Sequence, residues 1–232
     1  MVEQGPIMSR SEASSDAEQI SGIGWQTAAD CEAFQIDFAT DQGAPATTAP
    51  GVDAEFIREV GVLRVSLDVE MTTISDQLVE SGLVQQIYVV RQGDRSLFID
   101  FHLSRPAVAR VMVMGTPARV SVELQPGGSE YRAAPAIADN VVLLSPQEGP
   151  VEVPVILSGY SRNFEANTVG RITQGDRVLA EGFTTAADWA ETWGQFILSL
   201  TPSGSGEAEL FAGEQSPQDG SDRGVVVAIR LP

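Results

Sequence analysis

The 232-residue sequence predicts an all-β protein built as two β-sandwich domains in tandem. Three observations carry this. Apolar and polar residues alternate with a period of two along short segments, and no segment sustains a period near 3.6. Turn-forming residues punctuate these segments without intervening helical patterns, so the βαβ alternation of a parallel nucleotide-binding sheet is excluded. A stretch rich in Gly, Pro and Ala with little β pattern, Pro126 to Asn140, divides the chain. The expected organisation is a flexible segment at 1–30, a β domain at 31–126, a linker at 127–140 and a second β domain at 141–232.

The elements follow in order. Met1 to Gln19 is polar and rich in Ser and Glu, and reads as disordered. Such a segment commonly follows a removed signal or anchor, so an exported protein is expected. Cys31 to Phe38 places Phe34, Ile36 and Phe38 on one face and Gln35 and Asp37 on the other. Asp41 to Pro50 is a loop. Val62 to Val69 alternates again. Thr72 to Gly82 reads as a short helix or a loop. Leu83 to Arg91 and Ser96 to Leu103 form a hairpin about Gln92-Gly93-Asp94-Arg95. Val108 to Met114 and Ala118 to Leu124 form a second pair. Beyond the linker, Val141 to Leu144 and Val151 to Ser158 are strands. Ser158 to Leu200 then runs strand, turn, strand, turn, strand, loop, strand, and Glu207 to Ala212 and Val225 to Leu231 close the chain.

Composition narrows the partners. Thirty-two acids stand against 14 bases, all of them Arg, for a formal net charge of −18. Such a surface repels nucleic acid and anionic lipid headgroups, and it can collect cations such as Ca²⁺. The lone Cys31 forms no intrachain disulfide. No run approaches the ~18 apolar residues of a membrane span.

Particular residues carry a family resemblance. They are Ser145-Pro146, Val155 to Gly159, Arg162 and Phe164-Glu165-Ala166, then Val178 to Phe183 with Gly182, then Trp193-Gly194 with Phe196, and last Ser216, Asp219, Gly220 and Ser221. In this order over Val141 to Pro232 they resemble the immunoglobulin-like domain of bacterial spore germination. Tyr160 departs from the small residue common in that family. The first half, with Phe34-Gln35-Ile36-Asp37-Phe38 and Leu97-Phe98-Ile99-Asp100, resembles AMIN-like β domains of actinobacterial envelope proteins. Both resemblances imply exported, non-catalytic modules of the cell envelope.

The family aromatics Phe164, Phe183, Trp193 and Phe196 are expected to fill the sandwich core, and the rival reading is an exposed platform for sugars. Arg162 and Glu165 are close enough in sequence to pair at a strand end. Trp189, in the acidic loop with Asp188 and Glu191 and away from the family pattern, is a candidate to grip a glycan or a partner. Ser216 to Asp222 combines turn chemistry at Asp219-Gly220 with oxygens from Asp219, Ser221 and Asp222 that suit a weak Ca²⁺ site, although the spacing is not that of an EF-hand. No other cofactor is expected.

His102 has neither an elbow Ser for a triad nor enough His and Cys around it for zinc. The chain therefore reads as a non-catalytic recognition or scaffolding protein at the cell surface, binding an envelope protein or a cell-wall glycan. Two alternatives are a peptidoglycan- or polysaccharide-binding module and a hydrolase using a carboxylate pair.

Overall fold

The computed structural model describes residues 1–2, 5–10, 14–28, 30–93, 96–216 and 219–232. Asp94 and Arg95 of the expected hairpin turn, and Pro217 and Gln218 of the 216–222 loop, lie outside the described residues. The chain divides into two compact units, Met1–Arg132 and Ala133–Pro232. The division falls inside the expected linker.

The first unit contains β1 (Gly5–Arg10), β2 (Gln19–Ala28), β3 (Cys31–Ala39), β4 (Val52–Ile57), β5 (Val62–Leu67), β6 (Met71–Thr72), β7 (Asp76–Leu78), β8 (Val84–Arg91), β9 (Leu97–Leu103), β10 (Ala107–Met114) and β11 (Arg119–Pro126). One sheet has the order β10-β11-β3-β2-β6. In the other, β1-β4-β5-β9-β8 are neighbours and β7 pairs with β8. The core between them takes Phe34 and Ile36 from β3, Val65 from β5 and Ile99 and Phe101 from β9, as period-two alternation demands.

Two expectations for this unit are corrected. The described residues of segment 1–30 are not a flexible tail: they supply β1 and β2. β2 buries Ile20 and Ile23 against β3, and a register shift between Ile20 and Gly22 breaks the alternation that would have revealed it. Thr72 to Gly82 is neither helix nor simple loop, because Asp76–Leu78 pairs with β8.

The opposite face of β9 carries a buried polar layer. Arg64 donates from Nε and Nη2 to the two oxygens of Asp100 at 2.8 and 2.7 Å, and its guanidinium lies 3.8 Å from the centre of the Phe98 ring. The Tyr88 and His102 rings are 4.8 Å apart. Burial, reinforced by Asp76, pushes the Tyr88 hydroxyl up to about 12. Burial also pulls His102 down to about 4, against the pull of Asp100 and with the help of Arg64. At neutral pH His102 is uncharged.

The second unit contains β12 (Ala136–Ile137), β13 (Val141–Ser145), β14 (Gly149–Pro150), β15 (Val155–Ser161), β16 (Asn167–Gln174), β17 (Arg177–Thr185), β18 (Trp193–Leu200), β19 (Gly206–Gln215) and β20 (Asp222–Leu231). Its strands form the rows β18-β15-β13-β12 and β14-β20-β19-β16-β17. Leu143, Leu157, Ile172, Phe196, Leu210 and Ile229 fill the space between them.

Of the four family aromatics expected in this core, Phe196 alone is there, 2% exposed. Trp193 is also buried, at 4%, but it packs outside that cluster, edge-to-face on Tyr160 at 5.9 Å. Phe183 is 73% exposed and Phe164 54%. The reason for Phe183 lies across the sheet. A Cβ at Gly170 would come within 2.7 Å of Leu198, and one at Gly182 within 3.1 Å of Leu200. Those leucines take the volume over β16 and β17, so Gly182 faces inward and its neighbour Phe183 faces out.

Candidate functional site

Phe164 leaves the core because of the turn that carries it. Asn163 is buried, and its amide donates to Thr168 Oγ1 at 3.0 Å and to the Gly213 carbonyl at 3.1 Å. Its side-chain oxygen accepts from Asn140 at 2.7 Å. With Asn163 anchored in this way, the chain turns tightly. Glu165 and Ala166 both take left-handed conformations, at φ 53° and 60°. Such conformations cost non-glycine residues roughly 1–2 kcal/mol each. Ala166 rather than Phe164 enters the core. The Phe164 amide donates to Glu214 Oε2 at 2.7 Å, which fixes the base of the exposed ring.

Trp189 is held as firmly. Asp188 Oδ1 accepts from the amides of Trp189, Ala190 and Glu191 at 2.6, 2.9 and 3.2 Å. The Ala187 amide donates to the Gln195 carbonyl at 3.0 Å. A Cβ at Gly194 would sit 2.2 Å from the Asp188 amide nitrogen, so glycine at 194 lets the loop lie down on β18. Trp189 is 41% exposed and its ring meets Phe164 edge-to-face, centroids 5.6 Å apart and planes at 68°.

The structure thus joins two residues that the sequence kept apart: Trp189, expected at the surface, and Phe164, expected inside. Asp188 serves the loop as its turn acceptor, Glu191 is exposed two residues beyond Trp189, and Glu165 is exposed beside Phe164. Asn163 and Glu214 escaped sequence reasoning. A turn-forming Asn immediately before the family Phe was the one local signal of a bend.

The Asp219 loop is built as a turn. Asp219 Oδ1 accepts from the Ser221 amide and hydroxyl at 3.1 and 2.7 Å, and Gly220 takes φ 72°. These bonds, the hydroxyl first, pull the Asp219 carboxyl down to about 2. Asp222 turns away to Arg171, whose Nη1 is 2.7 Å from its Oδ2, while Arg171 Nε bonds Glu181. Asp219 and Ser221 are therefore bonded to each other, while Asp222 is engaged by Arg171 instead of joining them. Among the described residues no group of three or more His, Cys, Asp or Glu stands ready to hold a metal.

In the first unit a cleft of about 240 Å³ is lined by Arg58, Glu59, Glu130 and Arg132. It brings two carboxylates together, but both arginines share its wall and no aromatic or apolar side chain lines it to seat a sugar ring.

No curated protein and no solved structure matches the chain. Residues 140–221, from the approach to β13 up to the turn before β20, match the family model of the immunoglobulin-like domain of bacterial spore germination.

Proposed function

We propose that this protein is a non-catalytic, germination-related recognition module of the bacterial cell envelope, which engages its partner through the Phe164–Trp189 corner. The observation that carries this reading is the exposure of two large aromatic rings on immobilised turns. Left-handed residues, a buried Asn and a threefold Asp acceptor all act to present rings that burial would otherwise favour. Aromatic side chains on rigid turns contribute large contact area with little entropy left to lose, as binding hot spots do. Loops at the end of a sandwich are where such folds carry recognition. The family match supports the germination link and an envelope setting. A resemblance of residues 31–126 to AMIN-like domains, read from the sequence alone, is consistent with an exported protein of that setting.

The test is retention on isolated envelopes of a spore-forming bacterium and on protein-stripped peptidoglycan sacculi. The wild-type chain is expected to be retained on envelopes, and the Phe164→Ala, Trp189→Ala double variant to lose at least about tenfold of that affinity. Retention on sacculi assigns a glycan partner, and retention on envelopes alone assigns a protein. Retention that the double variant leaves intact overturns the role of the corner.

A further inference from the structure

Resting on that reading, the surroundings of the corner define what it takes. The segments that carry the two rings also carry three carboxylates, and a fourth reaches them from β19. Glu165 follows Phe164, Glu214 accepts its amide, and Asp188 and Glu191 flank Trp189. The cations placed by the same segments are Arg162, two residues before Phe164, and Arg223, opposite Glu214 in the β19–β20 register. The local balance is negative, as is the whole chain at −18. Aromatic faces attract cations through the ring quadrupole, and a corner of two rings at 68° lets one side chain touch both. Anionic wall polymers are repelled by the same field that draws a basic chain in.

We infer that the corner binds a basic peptide segment of a protein partner, with a Lys or Arg side chain laid against Phe164 and Trp189 and its charge met by Glu165 and Glu191. The acids supply long-range attraction and the rings supply the fit. Neither a neutral glycan nor an acidic peptide satisfies both.

The experiment is calorimetric titration at about 150 mM salt, where attraction between exposed charges is largely screened beyond about 8 Å. The probes are acetylated, amidated pentapeptides carrying two Arg, two Lys or two citrullines, together with a neutral chitin oligosaccharide. The Arg and Lys peptides are expected to bind saturably below about 1 mM, with the citrulline peptide at least about fivefold weaker. Phe164→Ala and Trp189→Ala, which leave the net charge unchanged, each weaken binding about three- to fivefold. Glu165→Gln and Glu191→Gln each weaken it about twofold or more.

Glu207→Gln is the control. Glu207 lies seven residues from Glu214 along β19, about 23 Å away, and its substitution leaves binding unchanged. The inference is overturned if Glu207→Gln weakens binding as much as Glu191→Gln, if the aromatic variants bind as the wild type does, if chitin oligosaccharide binds more tightly than the basic peptides, or if no basic peptide binds. Envelope retention that depends on Phe164 and Trp189, with no basic peptide bound, retires the ligand class alone. Retention independent of both rings retires the recognition site itself. Circular dichroism melts of each variant confirm that losses are not unfolding.

Discussion

Phe164→Ala set beside Phe196→Ala measures directly which family aromatics hold the second unit together. Full burial of a Phe side chain is worth about 1.5–3 kcal/mol, and with the Phe164 residue 54% exposed less than half of that is at stake, about 1 kcal/mol. Phe196 is 2% exposed in the middle of the core, and its truncation leaves a cavity as well, for a cost of about 3–5 kcal/mol. For a unit of this size 1 kcal/mol moves the midpoint by about 4–8 °C. Differential scanning calorimetry on the full chain should therefore show a small shift for Phe164→Ala and one at least three times larger for Phe196→Ala. Equal shifts would refute the placement of Phe164 on the surface, and with it the aromatic corner.

The other predictions concern buried polar groups. Asp100→Ala deprives the largely buried Arg64 guanidinium of its bidentate carboxylate and should cost about 3–5 kcal/mol in urea denaturation. His102 is neutral in the folded protein down to about pH 4, whereas in the unfolded chain it takes up a proton near 6.5. Between those values the unfolded state binds more protons, so stability falls as pH drops from about 6.5 to 4, by up to about 3 kcal/mol. His102→Gln should flatten that slope in urea titrations run at a series of pH values, and an unchanged slope would count against a buried neutral imidazole. Asn163→Ala removes three side-chain hydrogen bonds and should cost about 2 kcal/mol or more while lowering envelope retention, because the Phe164 turn loosens.

What the sequence made legible was what period-two alternation can encode. β3, β5 and the β10–β11 pair stand where alternation placed them, because each buries mainly one face, and the β8–β9 hairpin stands where its turn and apolar runs placed it although β9 is buried on both faces. β2 escaped because of its register shift and its glycines, and β1 because its pairing with β4 slips between Pro6 and Met8. The aromatics show a second limit. The pattern that fixes Phe183 beside Gly182 does not say which of the two faces inward. The leucines of β18 settle that, and they lie some 15 residues away in sequence. Phe164 is harder still, since its exposure depends on two left-handed residues that no side-chain pattern announces. Trp189 was legible because an acidic loop around a Trp has no core reading.

The close approach at Gly61 has a practical consequence for dissecting the chain. Gly61, at φ 65°, leaves room for the Tyr131 ring, which a Cβ there would meet at 2.4 Å. The Tyr131 hydroxyl accepts from the Ala107 amide and donates to the Arg105 carbonyl, both at 3.1 Å. Residues 127–132, expected as linker, thus act as a latch on the first unit. A fragment cut after Pro126 would discard that latch and bare the glycine surface beneath it, whereas one cut after Arg132 keeps the fold sealed. Expression of the first unit alone should start from the longer boundary.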